Sequence, residues 1–411
     1  MKIVTFAHRL EVGGTQVNAI DLAAGLRDMH GCDVVFFATP GPLASIVQAK
    51  GLRFVPAPDA YFHPSPARMR ALRDLVRAEK PDVIHSWDWW QCLDAYYSVH
   101  LPWRIPMLTT DMMMTLTRVL PKQVPTTFGT PEMVDIAREA GRKNVHLLLP
   151  PVDVRANAPG AVDCSSFRRQ FGLDDGCVNV ILVSRLDTSM KADSLTRVID
   201  AVRGLGRVAP VRLVIVGEGL ARTFLQELAA KANAELGREA VLLTGAILDP
   251  RPAYAAADIV VGMGTSALRG LAFAKPVVVV GSGGFSALFD QTTSAMFLRT
   301  GLYGVGHGLP DNTALKQQLG DLLRSDRDSL QHLGRLGREF VERHFALDVV
   351  CKRLLGLLRE AKAEGVPLGR SFKDAIRTSA VYVRERRFLR PSRDKVPVDA
   401  VAESATAAIR N

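Results

Sequence analysis

Residues 178–219, VNVILVSRLDTSMKADSLTRVIDAVRGLGRVAPVRLVIVGEG, contain the pattern that decides the fold. Two runs dominated by Val, Ile and Leu, 178–184 and 211–217, flank a stretch with helical spacing at 192–204. Short continuous apolar runs bounded by Gly and polar residues are typical of parallel strands that are buried on both faces. The stretch therefore predicts a strand–helix–strand unit of a parallel sheet.

The same alternation continues in both directions along the chain. It runs through 2–150, pauses in the Pro- and Ala-rich stretch 150–167, and resumes until helices predicted at 312–325, 327–344 and 346–363. Two such units predict an α/β protein with two Rossmann-like domains facing a cleft. We expect domains at 1–157 and 158–345, a closing helix at 346–365 and a partly disordered basic tail at 366–411.

Composition excludes several classes of protein. The chain has 411 residues, 47% of them hydrophobic and 23% charged, which is typical of a globular protein. Its five cysteines show no C-x-x-C spacing, which argues against a disulfide scaffold or structural zinc site. No apolar run approaches the roughly 20 residues of a membrane helix. We expect a cytoplasmic protein.

The net charge of +10 at pH 7 is concentrated at the end of the chain. Residues 366–411 carry ten Lys and Arg against five acids. A basic surplus attracts anions, and the aromatic residues Tyr382 and Phe388 beside the arginines suggest contact with an anionic membrane surface. A peripheral position at the inner membrane face and a simple solvated tail both stay open, and we expect no nucleic-acid partner.

Two glycine-bearing turns are candidates for binding phosphate. Gly13-Gly14 follows the first strand, and Gly264-Thr265-Ser266 opens a helix after the run DIVV. The N-terminus of a helix presents free N–H groups to an anion. Neither turn completes a G-x-G-x-x-G fingerprint, and G-x-x-x-x-G-K-[ST] is absent, which argues against a nicotinamide dehydrogenase.

A pair of cations after the strand at 178–184 is more specific. Arg185 follows the strand directly, and Lys191 comes six residues later as a helix begins. Both side chains are expected in the cleft, where they would bind a diphosphate and stabilise charge on a leaving group. Ion pairs with Asp187 and Asp193 are the alternative.

Together, these motifs resemble those of retaining glycosyltransferases of the GT-B class, family four, over about residues 1–360. The resemblance rests on the Gly13-Gly14 turn and on the following sequences: AIDLAAGL, KPDVIHSWDW (80–89), LLLPPVDV (147–154), SRLDTSMK (184–191), RLVIVGEG (212–219) and GMGTSALRGLAFAKPVVVV (262–280). It implies a nucleotide-sugar donor on the second domain, a hydroxyl acceptor on the first, and transfer with neither metal nor cofactor.

The resemblance also implies roles for particular residues. Arg185 and Lys191 match the diphosphate-binding pair of the family, and Gly14 matches the loop that approaches the donor. Gly217 and Glu218 match a turn that lines the base pocket. We assign Gly13, Gly264, Thr265 and Ser266 to the donor site with them.

The chain departs from the family at two carboxylates. The family carries a pair of glutamates around the Gly-x-Gly turn, and Val261 and Arg269 stand at those positions. Arg269 offers hydrogen-bond donors where the family has an acceptor, so donor recognition must differ. Arg269 is either a phosphate ligand or a helix-surface side chain.

On the acceptor side, four residues follow or end predicted strands. We assign His8, His85, Trp87 and Asp88 to acceptor binding, because strand carboxyl ends form the ligand edge of such sheets. Packing of the tryptophans is the alternative. Asp111, where the family has a histidine, is a candidate hydrogen-bond acceptor or base, or else the N-cap of a helix at 112–119.

The sequence thus predicts transfer of a sugar from a nucleotide-diphosphate donor to a glycan, a lipid-linked sugar or a small metabolite. Two rivals stay open. One is a catalytically inactive relative that binds a sugar nucleotide and serves a partner protein, which the missing glutamates motivate. The other is a sugar-nucleotide epimerase.

Overall fold

A computed structural model of the chain describes residues 1–60, 62–173, 176–187, 192–306, 312–366 and 368–387. It contains two separate sheets with helices on both faces, as the alternating pattern predicts. Lys191 and residues 388–411, including Phe388, lie outside the described residues.

The first sheet has seven parallel strands in the order β3-β2-β1-β4-β5-β6-β7. The strands are β1 (Lys2–Phe6), β2 (Asp33–Ala38), β3 (Arg53–Pro56), β4 (Val83–Trp87), β5 (Met107–Asp111), β6 (Thr126–Phe128) and β7 (Val145–Leu147). Its helices are α1 (Gly14–His30), α2 (Ala44–Ala49), α3 (Pro66–Glu79), α4 (Asp88–Ala95), a π-helical turn (Tyr96–His100), α5 (Leu101–Trp103) and α6 (Pro131–Glu139).

The second sheet has six strands in the order β10-β9-β8-β11-β12-β13. The strands are β8 (Val178–Val183), β9 (Val211–Val216), β10 (Val241–Gly245), β11 (Ile259–Gly262), β12 (Val277–Val280) and an antiparallel edge strand, β13 (Ser286–Leu288). The remaining helices are α7 (Ser165–Gln170), α8 (Ala192–Leu205), α9 (Arg222–Leu236), α10 (Arg251–Ala256), α11 (Thr265–Ala272), α12 (Ser294–Thr300), α13 (Thr313–Arg324), α14 (Arg327–His344), α15 (Leu347–Glu364) and α16 (Leu368–Arg387).

The strand order of each sheet reverses at one point. In the first sheet the chain leaves β1 on one side to β2 and on the other to β4, and in the second sheet β8 is flanked by β9 and β11. In open α/β sheets, ligands bind at such switch points beyond the carboxyl ends of the strands. The loops after β1, β4, β8 and β11 are therefore where a ligand site is expected.

Helix α15 packs on the first domain although it follows the second in sequence. Val350, Leu354 and Leu358 belong to the same buried core as Ile3 of β1 and Leu22 of α1. The chain passes between the two domains twice, near Val152 and near residues 345–347, and these two segments are hydrogen-bonded to each other. Val152 N donates to Phe345 O (2.7 Å), and Leu347 N donates to Val152 O (2.9 Å). The closing helix thus belongs structurally to the first domain.

Helix α16 was not predicted: over these residues we expected a basic tail that is partly disordered. It docks on the first domain through hydrogen bonds, with the Tyr96 hydroxyl donating to Ser371 O (2.9 Å) and the Gln123 N–H donating to Asp374 Oδ2 (2.8 Å). Its buried positions include the polar residues Ser371, Asp374 and Thr378. Hydrophobic periodicity cannot reveal such a helix, because polar residues make up much of its inner face.

None of the described helices is both long enough and apolar enough to cross a bilayer.

Candidate functional site

The ligand edges of the two domains meet where α1 and α11 begin. A Cβ atom placed on Gly14 would lie 3.0 Å from Thr265 Oγ1, although the two residues belong to different domains. Any side chain at Gly14 would therefore press on the first residue of α11. Glycine permits this approach, and it brings the two predicted phosphate-binding turns together.

On the first domain, three titratable side chains converge at neighbouring strand ends. His8 follows β1, Asp88 follows β4 and Asp111 ends β5. His8 Nε2 lies 2.5 Å from Asp88 Oδ2, and the other oxygen, Asp88 Oδ1, accepts a hydrogen bond from Met112 N (3.2 Å). The side chains of His8 and Asp88 are 13% and 14% exposed, so the pair can still be reached from the cleft.

Asp111 is fully buried behind this pair. The pKa of its carboxyl is raised to about 8, first by burial and second by the negative charge of Asp88, while a hydrogen bond from Met113 N (2.9 Å) opposes the shift. Desolvation disfavours the ionised form of any carboxyl group. Asp111 is therefore protonated at neutral pH, which argues against the predicted role as a base.

No helix begins at Asp111. Residues 112–119 contain bends and turns but no helix, and Asp111 Oδ1 accepts a hydrogen bond from Met113 N (2.9 Å). The alternative of an N-cap for a helix at 112–119 is thus wrong.

The backbone of Asp88 is in the left-handed region, with φ 53°. This conformation costs a non-glycine residue roughly 1–2 kcal/mol of conformational free energy.

His85 and Trp87 require correction, because both predicted acceptor ligands are buried in the domain core. His85 is 1% exposed and its Nε2 lies 2.7 Å from Thr110 Oγ1. Burial lowers the pKa of His85 to about 3, so the ring stays neutral. Trp87 is fully buried beside Leu108 and Val350, since β4 directs alternate side chains into the core.

On the second domain, backbone packing positions the loops after β8 and β9. Gly217 has φ 153°, and a Cβ there would overlap the carbonyl oxygen of Ser184. Leu186 N donates to Glu218 O (2.9 Å), which joins the two loops. The Glu218 side chain forms an ion pair with Arg222, so its carboxylate is already partnered.

Arg185 lies between Ser184 and Leu186, whose backbone groups contact Gly217 and Glu218. Its side chain is exposed at the end of β8 and makes no hydrogen bond or ion pair to another described residue. The predicted alternative partner Asp187 does have an interaction of its own. Since Lys191 falls outside the described residues, its pairing with Arg185 stays a prediction.

In the turn that opens α11, several hydrogen-bonding groups already have partners within the protein. Gly264 has φ 54° and donates its N–H to Leu302 O (2.8 Å). The Ser266 hydroxyl donates to Met263 O (2.9 Å) and accepts from Met263 N (3.1 Å), so it stabilises the turn itself. Thr265 faces Gly14, and the role of these residues in donor binding stays a prediction.

Arg269 is half-buried on the second turn of α11. Its charge acts on Asp249: burial opposes ionisation of that carboxyl, but hydrogen bonds from Arg251 and the charge of Arg269 hold its pKa below the usual value. Val261 is a fully buried core residue of β11. Neither side chain can replace the hydrogen-bond acceptor that the family glutamates supply.

The loop after β12, residues 281–285, also reaches the ligand edge and was not predicted as part of it. Cβ atoms on Gly281 or Gly306 would overlap the carbonyl oxygens of Gly304 and Gly283, so two backbone segments touch here. Arg197 donates to Phe285 O (3.1 Å). The loop stands at the carboxyl end of β12, next to β11, and the signal in the sequence was the run GSGG after four valines.

Across the described ranges, no group of three or more His, Cys, Asp or Glu side chains is arranged to hold a metal ion. Metal-independent chemistry stays a prediction.

Two family profiles match the chain, one on each domain. Residues 12–111 match Glycosyltransferase Family 4, and residues 178–324 match Glycosyl transferases group 1. Comparison with curated protein sequences gave no match.

Solved structures share the fold over almost the whole chain. A glycosyltransferase from Rickettsia africae has a TM-score of 0.70 and 14% identity, covering 88% of this chain and 98% of its own. Anabaena HepE in complex with UDP-glucose has a TM-score of 0.69 and 16% identity, covering 88% and 100%. WaaG, a glycosyltransferase involved in lipopolysaccharide biosynthesis, has a TM-score of 0.59 and 14% identity, covering 86% and 99%.

Two Rossmann-like domains that oppose their ligand edges define the GT-B class of glycosyltransferases, and the structural neighbours have that architecture. With both family profiles matched, the chain belongs to the GT-B glycosyltransferases of family four.

Proposed function

We propose that the protein transfers a sugar from a nucleotide-diphosphate donor on the second domain to a hydroxyl acceptor on the first, with retention at the anomeric carbon. The observation that carries the proposal is the contact between Gly14 and Thr265, which puts both phosphate-type turns in one cleft. Anabaena HepE, which shares the fold, was solved with UDP, with UDP and glucose, and with UDP-glucose. Retention rests on the family resemblance.

The second domain would bind and release the diphosphate. Arg185 is exposed at the ligand edge, and the helix that begins at Thr265 has its N-terminus, the positive end of its dipole, at the same edge. Together with Lys191 these groups would stabilise the negative charge that develops as the bond from the anomeric carbon to the diphosphate oxygen breaks. Neither a metal nor a cofactor is needed in this scheme.

The first domain would orient the acceptor. Asp88, paired with His8 and partly accessible, is the acidic side chain of the cluster that an acceptor can reach, whereas Asp111 is buried and keeps its proton. We assign the His8–Asp88 pair to hydrogen bonding with the attacking hydroxyl. With retention, the new bond forms on the face that the diphosphate leaves, so the departing oxygen is placed to take the hydroxyl proton.

Donor binding is tested with a panel of nucleotide diphosphates, beginning with UDP, by thermal denaturation. A ligand at 100 times its Kd stabilises the folded state by about 2.7 kcal/mol, which raises Tm by several degrees. Arg185→Ala should abolish most of this rise, while Arg327→Ala, an exposed arginine on α14, should leave it intact. Equal shifts in both variants would contradict the proposed donor site.

Turnover is tested by mass spectrometry after incubation with sugar nucleotides and candidate acceptors, with and without EDTA. We expect a glycosylated acceptor in both conditions. Loss of product with EDTA would refute metal independence.

The absence of an acidic side chain at Val261 and Arg269 favours one rival, an inactive sugar-nucleotide-binding relative. It predicts tight donor binding without any product. An isomerised sugar nucleotide formed without acceptor would instead identify an epimerase.

A further inference from the structure

A basic cavity separate from the cleft lies between α16, the segment 116–122 and the end of α6. It is open to solvent on one side and has a volume of about 200 Å³, enough for several water molecules or one phosphate group. Five of its lining residues are cationic, namely Arg118, Lys122, Arg142, Arg377 and Arg384, and none of its described lining residues is acidic.

Two of these cations are held rigidly by the fold. Arg142, only 4% exposed, donates to Leu120 O (3.0 Å), Pro121 O (2.8 Å) and Thr126 Oγ1 (2.7 Å). Arg377 donates to Asp374 Oδ1 (2.8 Å) and to Leu120 O (2.9 Å). The cavity wall is therefore built before any ligand arrives, which lowers the cost of binding.

The other cations have hydrogen-bond donors to spare. Arg118 and Arg384 are exposed, and within the described part of the chain their side chains form no hydrogen bond or ion pair. Lys122 gives one hydrogen bond, to Ala140 O (2.8 Å). The nearby Asp374 carboxylate is already bonded to Arg377 and to the Gln123 N–H, so the charges of Arg118, Lys122 and Arg384 stay uncompensated.

We infer that this cavity is a second anion site, which binds a phosphate monoester through Arg118, Lys122 and Arg384. Arginine binds phosphate oxygens in a bidentate fashion, and like-charged side chains gathered around one cavity repel each other until an anion enters. The site belongs to the first domain, and the segment that lines it continues from Asp111 through residues 112–115.

The phosphate can come from a lipid headgroup or from a soluble ligand. A lipid source is compatible with the outward side of α16, where Phe372, Ile376 and Val383 are 68%, 58% and 48% exposed. These residues lie on the turns next to Arg377 and Arg384, so a headgroup in the cavity would leave its acyl chains near apolar side chains.

The test uses the full-length protein and two probes. Phenyl phosphate represents a soluble monoester, measured by isothermal titration calorimetry, and phosphatidylcholine vesicles with or without phosphatidic acid represent a lipid surface, measured by sedimentation. The variant Arg118→Gln/Arg384→Gln removes two exposed cations without breaking a described structural bond. Arg70→Gln/Arg335→Gln has the same net charge and alters exposed arginines on α3 and α14.

We expect phenyl phosphate to bind the cavity variant about tenfold or more weakly than the wild type and the charge-matched control. Arg185→Ala should retain this binding, which separates the cavity from the proposed donor site. Loss of phosphatidic acid vesicle binding in the cavity variant alone would identify a lipid source, whereas a change with phenyl phosphate alone would identify a soluble one. If neither probe binds the wild type, or neither distinguishes the two double variants, the inference is overturned.

Discussion

The two ligand edges that meet in the cleft differ in the chemical groups that they present. On the first domain, the edge presents acidic and basic side chains: His8 and Asp88 are in contact, and Asp111 is buried behind them. On the second domain, the edge consists of glycine turns and a helix N-terminus, with Arg185 exposed beside them. The first edge can orient a hydroxyl group and its proton, and the second can hold a charged leaving group.

This difference has a physical cause. A carboxyl group changes its proton affinity when it is buried, so an edge that positions protons needs buried side chains. Backbone N–H groups do not titrate and are held in place by the helix, so an edge that binds a constant negative charge needs only close backbone approach. Four predictions test this difference between the two edges.

The largest expected effect is on the stability of the first domain, where Trp87 is a buried core residue and not an acceptor ligand. Trp87→Ala should lower the free energy of unfolding by about 3–5 kcal/mol, since a large buried side chain leaves a cavity. Trp90→Ala, at a residue that is 42% exposed and stacks on His63, should cost about 1 kcal/mol. Urea denaturation measures both, and similar losses would restore Trp87 as an accessible acceptor ligand.

The second prediction concerns Asp88, the next residue along the chain, which is partly accessible at the same edge. Asp88→Asn removes the negative charge that faces His8, and we expect kcat/KM for transfer to fall by about 10²-fold to 10³-fold with donor affinity unchanged. Glu139→Gln, an exposed acid on the same domain, is the control and should leave transfer intact. An equal loss of donor affinity would show that the first edge also contributes to donor binding, against the proposed separation of acceptor and donor sites.

The third prediction concerns the contact between the edges. Gly14→Ala places a methyl group 3.0 Å from Thr265 Oγ1, so Thr265 must move by a few tenths of an ångström and transfer should slow about tenfold. Adding Thr265→Ala removes that oxygen and should restore part of the rate. Gly356→Ala, where a Cβ meets open space, is the control. An unchanged rate in Gly14→Ala would mean that this contact is not needed in the active state.

The smallest effect, over an interval of one pH unit, is a pH dependence of stability that the buried carboxyl should produce. The unfolded chain loses the Asp111 proton above pH of about 3.9, whereas the folded protein keeps it until the pKa of about 8. Between those values the unfolded state binds fewer protons, so the free energy of unfolding falls as pH rises, by up to about 1.4 kcal/mol per pH unit.

Asp111→Asn should lack this slope, which urea denaturation of both proteins at about pH 6 and about pH 7 would reveal. Parallel slopes would mean that Asp111 is ionised in the folded protein, and the first edge would then carry two negative charges.

The sequence predicted the strands well because their apolar runs are continuous, as in β9, where all six residues are buried. It did not find α16, whose buried face includes Ser371, Asp374 and Thr378. For the site, the sequence placed His8, Asp88 and Asp111 at strand ends correctly. It could not distinguish Asp88 from Trp87, because Trp87 ends β4 and Asp88 begins α4, and the direction of each side chain depends on the backbone conformation at this junction.

What the amino-acid sequence determined by itself is the architecture: the periodicity of apolar residues dictates two parallel sheets, and the motifs along them define the family. What only the tertiary structure decided is which residues become partners. The pairing of His8 with Asp88 and the approach of Gly14 to Thr265 join positions that are 80 or more residues apart. The basic cavity joins cations of the segment 118–142 to Arg377 and Arg384 on α16. Local patterns follow from the chemistry of neighbouring residues, whereas these contacts exist only once the sheets and domains have packed.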